Sequence, residues 1–339
     1  MPAALRSPLA LPAALLALWV VLSALASSDL RISTRHLPGL SLFLLLPIAM
    51  DLVDSTSRGR AIVLALGGSG CALSLLGFWQ YLHDRGSDIN ERIQGTLSHW
   101  MTFSGLAMIA ACLLAGLAFE ERGRWRLIGL ASVVPICAML LTYTRGVWVG
   151  ALAALVLYLA VRRPRGLLLI PPALFAVFFL LPPEIRGRMR SIGDPSDPTS
   201  RDRIAMARAG LRMVADHPLF GLGPDMVKPS YLRYSEPDAV RPVVPHLHNN
   251  LLQIAAANGL PASAAYLALV GVFLLRTVSK LRHETDPGRA ALLAGALLAG
   301  AAITVSGLFE YNFGDTEVEM ATLLVMSIPF SALFGPEAA

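Results

Sequence analysis

The sequence has few charged residues for its length. Only 15% of its 339 residues are Asp, Glu, Lys or Arg, compared with roughly 25% in a soluble globular domain. Hydrophobic residues make up 55% of the chain and form apolar stretches from end to end. This composition predicts that lipid is the main solvent, and we expect residues 1–339 to form a single membrane domain.

Cysteine is also scarce, and several catalytic motifs are missing. The three cysteines, Cys71, Cys112 and Cys137, lie inside apolar stretches with no paired spacing, so neither a disulfide framework nor a metal site is expected. The sequence contains no Walker lysine motif, no His-Glu-x-x-His pair and no Gly-x-Ser-x-Gly elbow. ATP-driven transport, metalloprotease and serine hydrolase functions therefore lose support, and no cofactor is expected.

About ten apolar stretches are long enough to cross the hydrocarbon core of a bilayer as helices. They run approximately from Leu9 to Ala26, Leu37 to Leu52, Ala61 to Leu82, Trp100 to Phe119, Leu127 to Tyr143, Val147 to Val161, Leu167 to Leu181, Leu251 to Leu275, Ala290 to Phe309 and Val318 to Phe334. The net charge of +5 comes from short basic clusters between them, which indicates topology and not a nucleic-acid footprint. With the N-terminus in the cytoplasm, the basic loops lie inside and one long polar loop, residues 183–247, lies outside.

The long loop is expected to contain short amphipathic helices. Asp202 can cap a helix from Arg203 to Ala215 that ends before Pro218. Its apolar residues recur at three- and four-residue spacing, which predicts an apolar face beside the membrane surface. They are Ile204, Ala207, Leu211 and Val214. The following Gly221-Leu222-Gly223-Pro224 segment predicts a turn whose backbone closely approaches another group.

The segment Thr142-Tyr143-Thr144-Arg145-Gly146 places an arginine between two apolar helices with almost no loop to solvate it. An arginine at such a depth is energetically expensive and is therefore a functional candidate. Its planar fork of donors matches a phosphate or a pyrophosphate. The alternative is an interfacial arginine whose long side chain reaches lipid phosphate.

Two further arginines, Arg201 and Arg203, lie at the start of the predicted loop helix. Positive charges at that end oppose the helix dipole, so a bound anion explains their placement better than helix stability does. The alternative is a solvated charged face in which the arginines pair with Asp202.

A pair of histidines lies just before the apolar stretch that follows the long loop. His246 or His248 can take a proton from a hydroxyl near neutral pH. Asn249 or Asn250, directly after them, can fix the tautomer of the histidine or hold a hydroxyl. The alternative is that both histidines are structural hydrogen-bonding groups at the membrane boundary.

Two more polar turns on the same side flank membrane stretches. One runs from Gly95 to His99, and the other runs from Glu310 to Asp315 and includes Tyr311. These turns could line a substrate cleft, with His99 and Tyr311 as the candidate binding residues. Alternatively, they are interfacial turns anchored by their aromatic residues.

Four segments, taken together and in order, resemble the O-antigen ligase family. This family of membrane glycosyltransferases also includes O-antigen polymerases and protein O-oligosaccharyltransferases. The matching segments are Gly95 to His99, Leu141 to Gly146, Arg203 to Pro224, and His248 to Gln253 followed by Asn258-Gly259-Leu260. Each is loose alone, but the ordered set is specific, and the resemblance covers most of the chain from about Leu22 onward.

The resemblance implies an all-α integral membrane bundle of GT-C type, in the bacterial inner membrane, with one long periplasmic loop. It implies transfer of a polysaccharide from undecaprenyl pyrophosphate to an acceptor such as lipid A core, on the periplasmic face and without a metal or a nucleotide sugar. Arg145 and Arg203 would hold the pyrophosphate, and His248 would activate the acceptor hydroxyl. The expected substrate-binding residues are Arg201, His246, Asn249, Asn250, His99 and Tyr311.

The chain departs from the family pattern in two places. It offers fewer spans than is usual, with the missing spans expected at the N-terminus, and it has Ala207 where the family has a tryptophan. An O-antigen polymerase and a protein O-oligosaccharyltransferase remain alternatives. A transporter is disfavoured, because the spans hold almost no ionisable residues near their centres. A non-catalytic scaffold would leave Arg145, Arg203 and His248 without a shared purpose.

Overall fold

The computed structural model describes residues 7–83, 92–236 and 243–335, and in these ranges the chain forms helices and no strand. We number the α-helices in chain order. They are α1 (Ala10–Ala26), α2 (Leu30–Thr34), α3 (Leu45–Leu52), α4 (Thr56–His83), α5 (Trp100–Glu120), α6 (Gly123–Gly129), α7 (Val133–Leu141), α8 (Arg145–Arg162), α9 (Ile170–Leu180), α10 (Pro183–Arg190), α11 (Pro198–Asp216), α12 (Val227–Tyr234), α13 (Asn250–Asn258), α14 (Leu260–His283), α15 (Pro287–Ser306) and α16 (Thr316–Ser327).

Within the described ranges, eight helical segments are long and apolar enough to cross a membrane. They are Leu30–Leu52, Thr56–His83, Trp100–Glu120, Gly123–Leu141, Arg145–Arg162, Leu260–His283, Pro287–Ser306 and Thr316–Phe334. Two shorter apolar segments, Ala10–Ala26 and Pro164–Leu180, lie on the remaining predicted stretches. The prediction of a polytopic all-α membrane protein is confirmed.

The prediction that the residues from Leu251 to Leu275 form a single helix is wrong. Gly259 has a φ of 87°, a left-handed conformation that ends helices, and it separates α13 from α14. Pro261 lies in the first turn of α14, where its missing N–H is tolerated. The segment therefore forms two helices, the short α13 and the membrane segment α14.

The central helices of the bundle are α5 and α15. In the most apolar 18-residue stretch of each helix, 78% of the residues of α5 and 83% of those of α15 are buried. Helix α15 packs against both α5 and α8. Alanine and glycine dominate α15, and small residues let membrane helices approach closely. Because α8 begins at Arg145, this packing brings Arg145 to the end of the bundle where α15 terminates. We call this end the loop side.

The loop between α9 and α13 contains α10, α11 and α12. The prediction that Asp202 caps a helix beginning at Arg203 is wrong, because α11 begins at Pro198. The Asp197 side chain accepts hydrogen bonds from the backbone N–H groups of Thr199 and Ser200, as an N-cap residue does. A proline in the first turn needs no hydrogen-bond partner for its nitrogen, so α11 extends five residues further than expected.

The apolar stripe that α11 buries against the rest of the protein is not the stripe predicted to lie beside the membrane surface. Ile204 is 41% exposed and Leu211 is 62% exposed. The buried apolar residues are Met206, Ala209, Gly210 and Met213. A Cβ at Gly210 would lie 2.7 Å from Leu247 Cδ1, so only this stripe lets α11 lie so close to the start of α13.

The glycine turn between α11 and α12 fastens the loop to the bundle. Leu222 N–H donates to Ala256 O at 2.9 Å, Trp19 Nε1 donates to Leu219 O at 2.9 Å, and the Ser27 hydroxyl donates to Leu222 O at 3.2 Å. A Cβ at Gly221 would lie 2.4 Å from the Ala257 backbone. The group that the glycines approach is thus the backbone of α13, and the turn holds α11 beside the residues that precede α13.

Candidate active site

A polar cavity of about 230 Å³ opens on the loop side. Its walls come from the segment before α5, the start of α8, two loop helices and the segment before α13. The lining residues are Arg92, His99, Trp100, Met101, Tyr143, Thr144, Arg145, Arg188, Thr199, Asp202, Arg203, Met206, Pro245, His246 and His248. The structure therefore brings Arg145, Arg203, His246, His248 and His99 together.

Arg145, the first residue of α8, is held by the loop. Its Nη1 donates to the Ser191 hydroxyl at 2.8 Å and to the Ser191 carbonyl, and its Nη2 donates to Asp197 Oδ1 at 2.9 Å. The side chain is 8% exposed, so it does not extend to lipid phosphate. Tyr143, two residues before Arg145, has a φ of 54°, a left-handed conformation that is rare outside glycine and clusters at functional sites.

Asp197 links two arginines and a helix start. Besides its contact with Arg145, its Oδ2 lies 3.4 Å from Arg188 Nη1. Burial raises the pKa of the Asp197 carboxyl, but the charge and hydrogen bond of Arg145 outweigh burial and hold that pKa below its ordinary value. Asp197 is therefore ionised at neutral pH and ties the start of α11 to the start of α8.

Arg203, on α11, has far fewer partners. Its Nη2 lies 3.6 Å from Glu310 Oε2, which is beyond hydrogen-bond distance. Its Nε is buried and has no hydrogen-bond partner among the residues that the structure describes. A buried donor without a partner is costly and rare in folded proteins. The cavity thus contains a guanidinium that is placed to receive an acceptor from a ligand.

His248 is held by a buried carboxylate. Its Nδ1 lies 2.8 Å from Glu310 Oε1 and 3.0 Å from Glu310 Oε2. Its φ of 51° is left-handed, and the next residue, Asn249, caps α13 by accepting from Leu252 N–H at 2.9 Å. With Nδ1 engaged, Nε2 is the ring nitrogen left for a ligand.

His246 is held less closely by Glu310 than His248 is. Its Nε2 is 3.8 Å from Glu310 Oε1, and the two imidazole ring centres are 4.3 Å apart. Burial, only partly offset by the Glu310 charge, lowers the pKa of His246 to about 4. His246 is therefore uncharged near neutral pH and is a weak base. The ligand atoms of His246, His248 and Glu310 also lie within 4.8 Å of one another, close enough to share a cation.

The cavity lining does not include four of the predicted binding residues. Arg201 is exposed on the outer face of α11. Asn249 and Asn250 form structural hydrogen bonds: Asn249 Nδ2 donates to Leu308 O at 2.9 Å, and Asn250 Nδ2 donates to Asn312 Oδ1 at 2.7 Å. The Tyr311 ring centre lies 5.8 Å from that of His246.

His99 does line the cavity, and it also caps α5. Its Nδ1 accepts from Met101 N–H at 3.1 Å, and its ring stacks on Trp100 with ring centres 4.0 Å apart. Burial lowers the pKa of His99 despite the nearby charges of Glu310 and Asp315. The backbone bond leaves Nε2 as the nitrogen available to a ligand.

A second, apolar groove of about 300 Å³ adjoins the polar cavity. Arg145 and Arg203 line both, so the two arginines stand where the groove meets the cavity. The apolar part of the groove lining consists of Val149, Ile192, Ile204 and Phe309. A molecule with a charged end and a long apolar end would match this pair of spaces.

Residue-level reasoning missed Arg92, Arg188, Asp197 and Glu310. Arg188 and Asp197 lie in loop segments whose patterns are those of ordinary surface turns. Glu310 offered a signal, because it is an acidic residue directly after a long apolar stretch, and such residues are functional candidates. The sequence predicts a polar turn at this place, but with Tyr311 and not Glu310 as its binding residue.

The model of the O-antigen ligase family matches residues 130–267. This segment is less than half of the chain and contains Arg145, Arg203, His246 and His248, whereas Arg92, His99 and Glu310 lie outside it. No curated protein matches the chain. The match confirms the resemblance to the O-antigen ligase family and supports a glycosyltransferase function of ligase or polymerase type.

Proposed function

We propose that this chain, a protein of O-antigen ligase type, is a membrane glycosyltransferase of GT-C type that transfers an O-antigen-like polysaccharide from undecaprenyl pyrophosphate to an acceptor such as lipid A core. The reaction takes place on the periplasmic face of the bacterial inner membrane. The observation that carries the proposal is the convergence of a base and a cation. His248 Nδ1 and Arg203 Nη2 both lie within 3.6 Å of one oxygen, Glu310 Oε2.

The cation side of the site suits a pyrophosphate leaving group. Arg203 is the proposed direct ligand, because it lines the cavity, its side chain is 22% exposed and its Nη2 is beyond hydrogen-bond distance from Glu310. Arg145, Arg188 and Arg92 line the same cavity and add positive charge. Fixed positive charge near a developing anion is commonly the largest contribution to catalysis. Since the Nη atoms of Arg145 already bind the loop, we assign Arg145 to holding the loop and adding charge to the pyrophosphate site.

The base side of the site suits an acceptor hydroxyl. The hydroxyl gives its proton to His248 Nε2 while its oxygen forms a bond to the anomeric carbon of the donor. The bond between that carbon and the pyrophosphate oxygen breaks, and the electron pair leaves with the pyrophosphate. The scheme involves no covalent enzyme intermediate, metal or nucleotide sugar. Burial lowers the pKa of His246 to about 4, so we assign His246 together with His99 to binding the glycan.

The apolar groove favours a lipid-linked donor. Ile192 and Ile204 are both more than two-fifths exposed, although they lie beside a charged cavity. A prenyl chain in the groove would cover such side chains and would place its pyrophosphate between Arg145 and Arg203. A soluble nucleotide sugar has no apolar chain to fill this space.

The acceptor is tested directly by supplying alternatives. Purified protein in lipid vesicles is given carrier-linked glycan together with lipid A core, with a second carrier-linked unit, or with a peptide acceptor. We expect transfer to lipid A core. Transfer only to the carrier-linked unit would identify a polymerase, and transfer only to the peptide would identify a protein O-oligosaccharyltransferase. No transfer to any of the three would contradict the proposed function.

The base is tested by His248→Ala. We expect transfer to fall at least about 100-fold, because general base catalysis contributes about 10²- to 10⁴-fold. His217→Ala is the matched control, since His217 is an exposed histidine of the same loop and its loss should leave the rate unchanged. Retained activity in His248→Ala would refute the base assignment.

A further inference from the structure

Glu310 is a buried carboxylate that the reaction scheme leaves unused. It lies in the turn after α15 and is 7% exposed. Three candidate site residues surround its carboxylate: His248 at 2.8 Å, Arg203 at 3.6 Å and His246 at 3.8 Å. It lies outside the segment that matches the family model. A buried charge is retained at such a place only if its surroundings compensate it.

We infer that Glu310 is the positioning residue of the glycan transfer, holding the His248 ring so that Nδ1 carries a proton and Nε2 acts as the base. This inference rests on the proposed function. An ionised carboxylate accepts hydrogen bonds and cannot donate, so the nitrogen that faces it must carry the hydrogen. When Nε2 takes the proton of the acceptor hydroxyl, the imidazolium stands beside a negative charge that stabilises it. The carboxylate itself keeps no proton, as in the serine hydrolase triad.

The surroundings of Glu310 keep it ionised. Burial raises the pKa of its carboxyl, but the hydrogen bond from His248 and the positive charge of Arg203 are among the interactions that outweigh burial and hold that pKa below its ordinary value. Two further titratable groups face it, His99 from the start of α5 and Asp315 from the start of α16. Arg203 therefore has a second role, because it neutralises part of the carboxylate charge while its guanidinium lines the cavity that would hold the ligand.

The two asparagines after His248 hold His248 and Glu310 in position relative to each other. Asn249 Nδ2 donates to Leu308 O at 2.9 Å, and Asn250 N–H donates to Gly307 O at 2.7 Å. Both bonds join the start of α13 to the turn that carries Glu310. A catalytic pair on two segments 62 residues apart needs such supports to hold its geometry. This explains why Asn249 and Asn250 lie beside the site without lining it.

A divalent cation is the competing use of the same three side chains. His246, His248 and Glu310 have the residue types of a metal site and suitably close ligand atoms. The Arg203 guanidinium, 3.6 Å from the carboxylate, opposes a second positive charge there. The geometry therefore favours a carboxylate that accepts a hydrogen bond from His248 over a carboxylate that binds a metal ion. The experiment below distinguishes the two.

The test compares Glu310→Gln, Glu310→Asp and a double variant in the transfer assay. Glu310→Gln keeps the shape but loses the charge and allows the wrong tautomer, so we expect kcat to fall at least about 100-fold with KM for the donor changed less than about threefold. Glu310→Asp restores the charge and should recover about tenfold or more of that loss. Glu310→Gln combined with His248→Ala should be no slower than His248→Ala alone, because the two residues act as a unit. Glu317→Gln is the matched control, since Glu317 is an exposed acid of the same region.

Three results would overturn the inference. The first is a normal kcat in the Glu310→Gln variant. The second is a double variant whose loss of kcat equals the product of the losses in Glu310→Gln and His248→Ala. The third is a wild-type activity that chelation abolishes and Zn²⁺ restores. If Glu310→Gln unfolds, Glu310→Asp and its double variant with His248→Ala carry the test. An inactive wild-type protein would refute the proposed function itself. An active wild-type with an inactive His248→Ala variant and a fully active Glu310→Gln variant would refute this inference alone.

Discussion

Arg145 and Arg203 line the same two cavities, yet their surroundings differ. The Nη atoms of Arg145 bind Ser191 and Asp197, and its side chain is 8% exposed. Arg203 is 22% exposed, has one carboxylate at 3.6 Å, and keeps a buried Nε with no described partner. The sequence predicts the same role for both arginines, but their environments differ. The protein supplies hydrogen-bond acceptors to Arg145, whereas Arg203 can still accept a ligand as its partner.

The difference follows from how a buried guanidinium is stabilised. Removing an arginine from water is costly unless its donors find acceptors. For Arg145 the loop supplies those acceptors, so the same bonds that satisfy the charge also pin α11 to α8. For Arg203 the acceptors are incomplete, and a pyrophosphate oxygen can complete them. We therefore expect loss of Arg203 to affect mainly transfer, and loss of Arg145 to affect both stability and transfer.

The largest effect on transfer should come from Arg203→Ala. Removing one direct donor to a developing anion lowers kcat by about 10²- to 10³-fold in other enzymes, and we expect a loss of that size. The melting temperature should fall less than in Arg145→Ala, because Glu310 keeps its close contact with His248 when Arg203 is lost. Transfer assays and thermal unfolding in detergent measure the two effects.

Arg201→Ala is the control for this comparison. Arg201 lies on the same helix, is exposed, and does not line the cavity, so its loss should leave transfer within about twofold of wild type. A loss equal to that of Arg203→Ala would show that general positive charge on α11, and not a guanidinium in the cavity, accounts for the effect.

A smaller effect on transfer, joined to a clear loss of stability, is expected for Arg145→Ala. Removing one partner of a buried ion pair costs about 3–5 kcal/mol. We expect the lower end of that range, since Asp197 keeps Arg188 and two backbone donors. Thermal or denaturant unfolding of the purified protein measures the loss.

The double variant Arg145→Ala with Asp197→Asn sharpens this prediction. Neutralising Asp197 removes the uncompensated charge, while the amide oxygen still caps α11, so part of the stability should return. If Arg145 acts by holding the loop, transfer should recover together with stability. Recovery of stability without any recovery of transfer would show that Arg145 binds the pyrophosphate directly.

The membrane helices could be predicted from the sequence because their signal is local. A span needs about 20 predominantly apolar residues, and several apolar stretches of this chain reach that length while the others come close to it. Arg145 and His248 also carried local signals, a buried charge in a tight turn and a histidine before an apolar helix. These signals identified the segments that meet at the cavity.

The contacts between those segments could not be predicted from local sequence patterns. The stripe through Ile204 and Leu211 and the stripe through Met206 and Met213 both recur at helical spacing, and only the packing of α11 on α13 selects the second. Likewise, both Asp197 and Asp202 are acceptable caps, and the start of α11 depends on where Arg145 binds. The contact between His248 and Glu310 depends on the length and packing of α15, which no spacing within the sequence encodes.

The smallest expected effect concerns the pH dependence of the Arg145–Asp197 pair. Because the pKa of Asp197 is held below its ordinary value in the folded protein, the pair stabilises the fold above the unfolded-state pKa of about 3.9. That contribution is lost as the pH falls through the lower folded-state pKa. At pH 6 we expect wild type to exceed Asp197→Asn by about 1.5 kcal/mol, the contribution of a hydrogen bond to a charged group. The difference in unfolding free energy between the two proteins should stay constant down to about pH 4 and shrink below it, and a difference that is already lost at pH 6 would mean that Arg145 is not paired with an ionised Asp197.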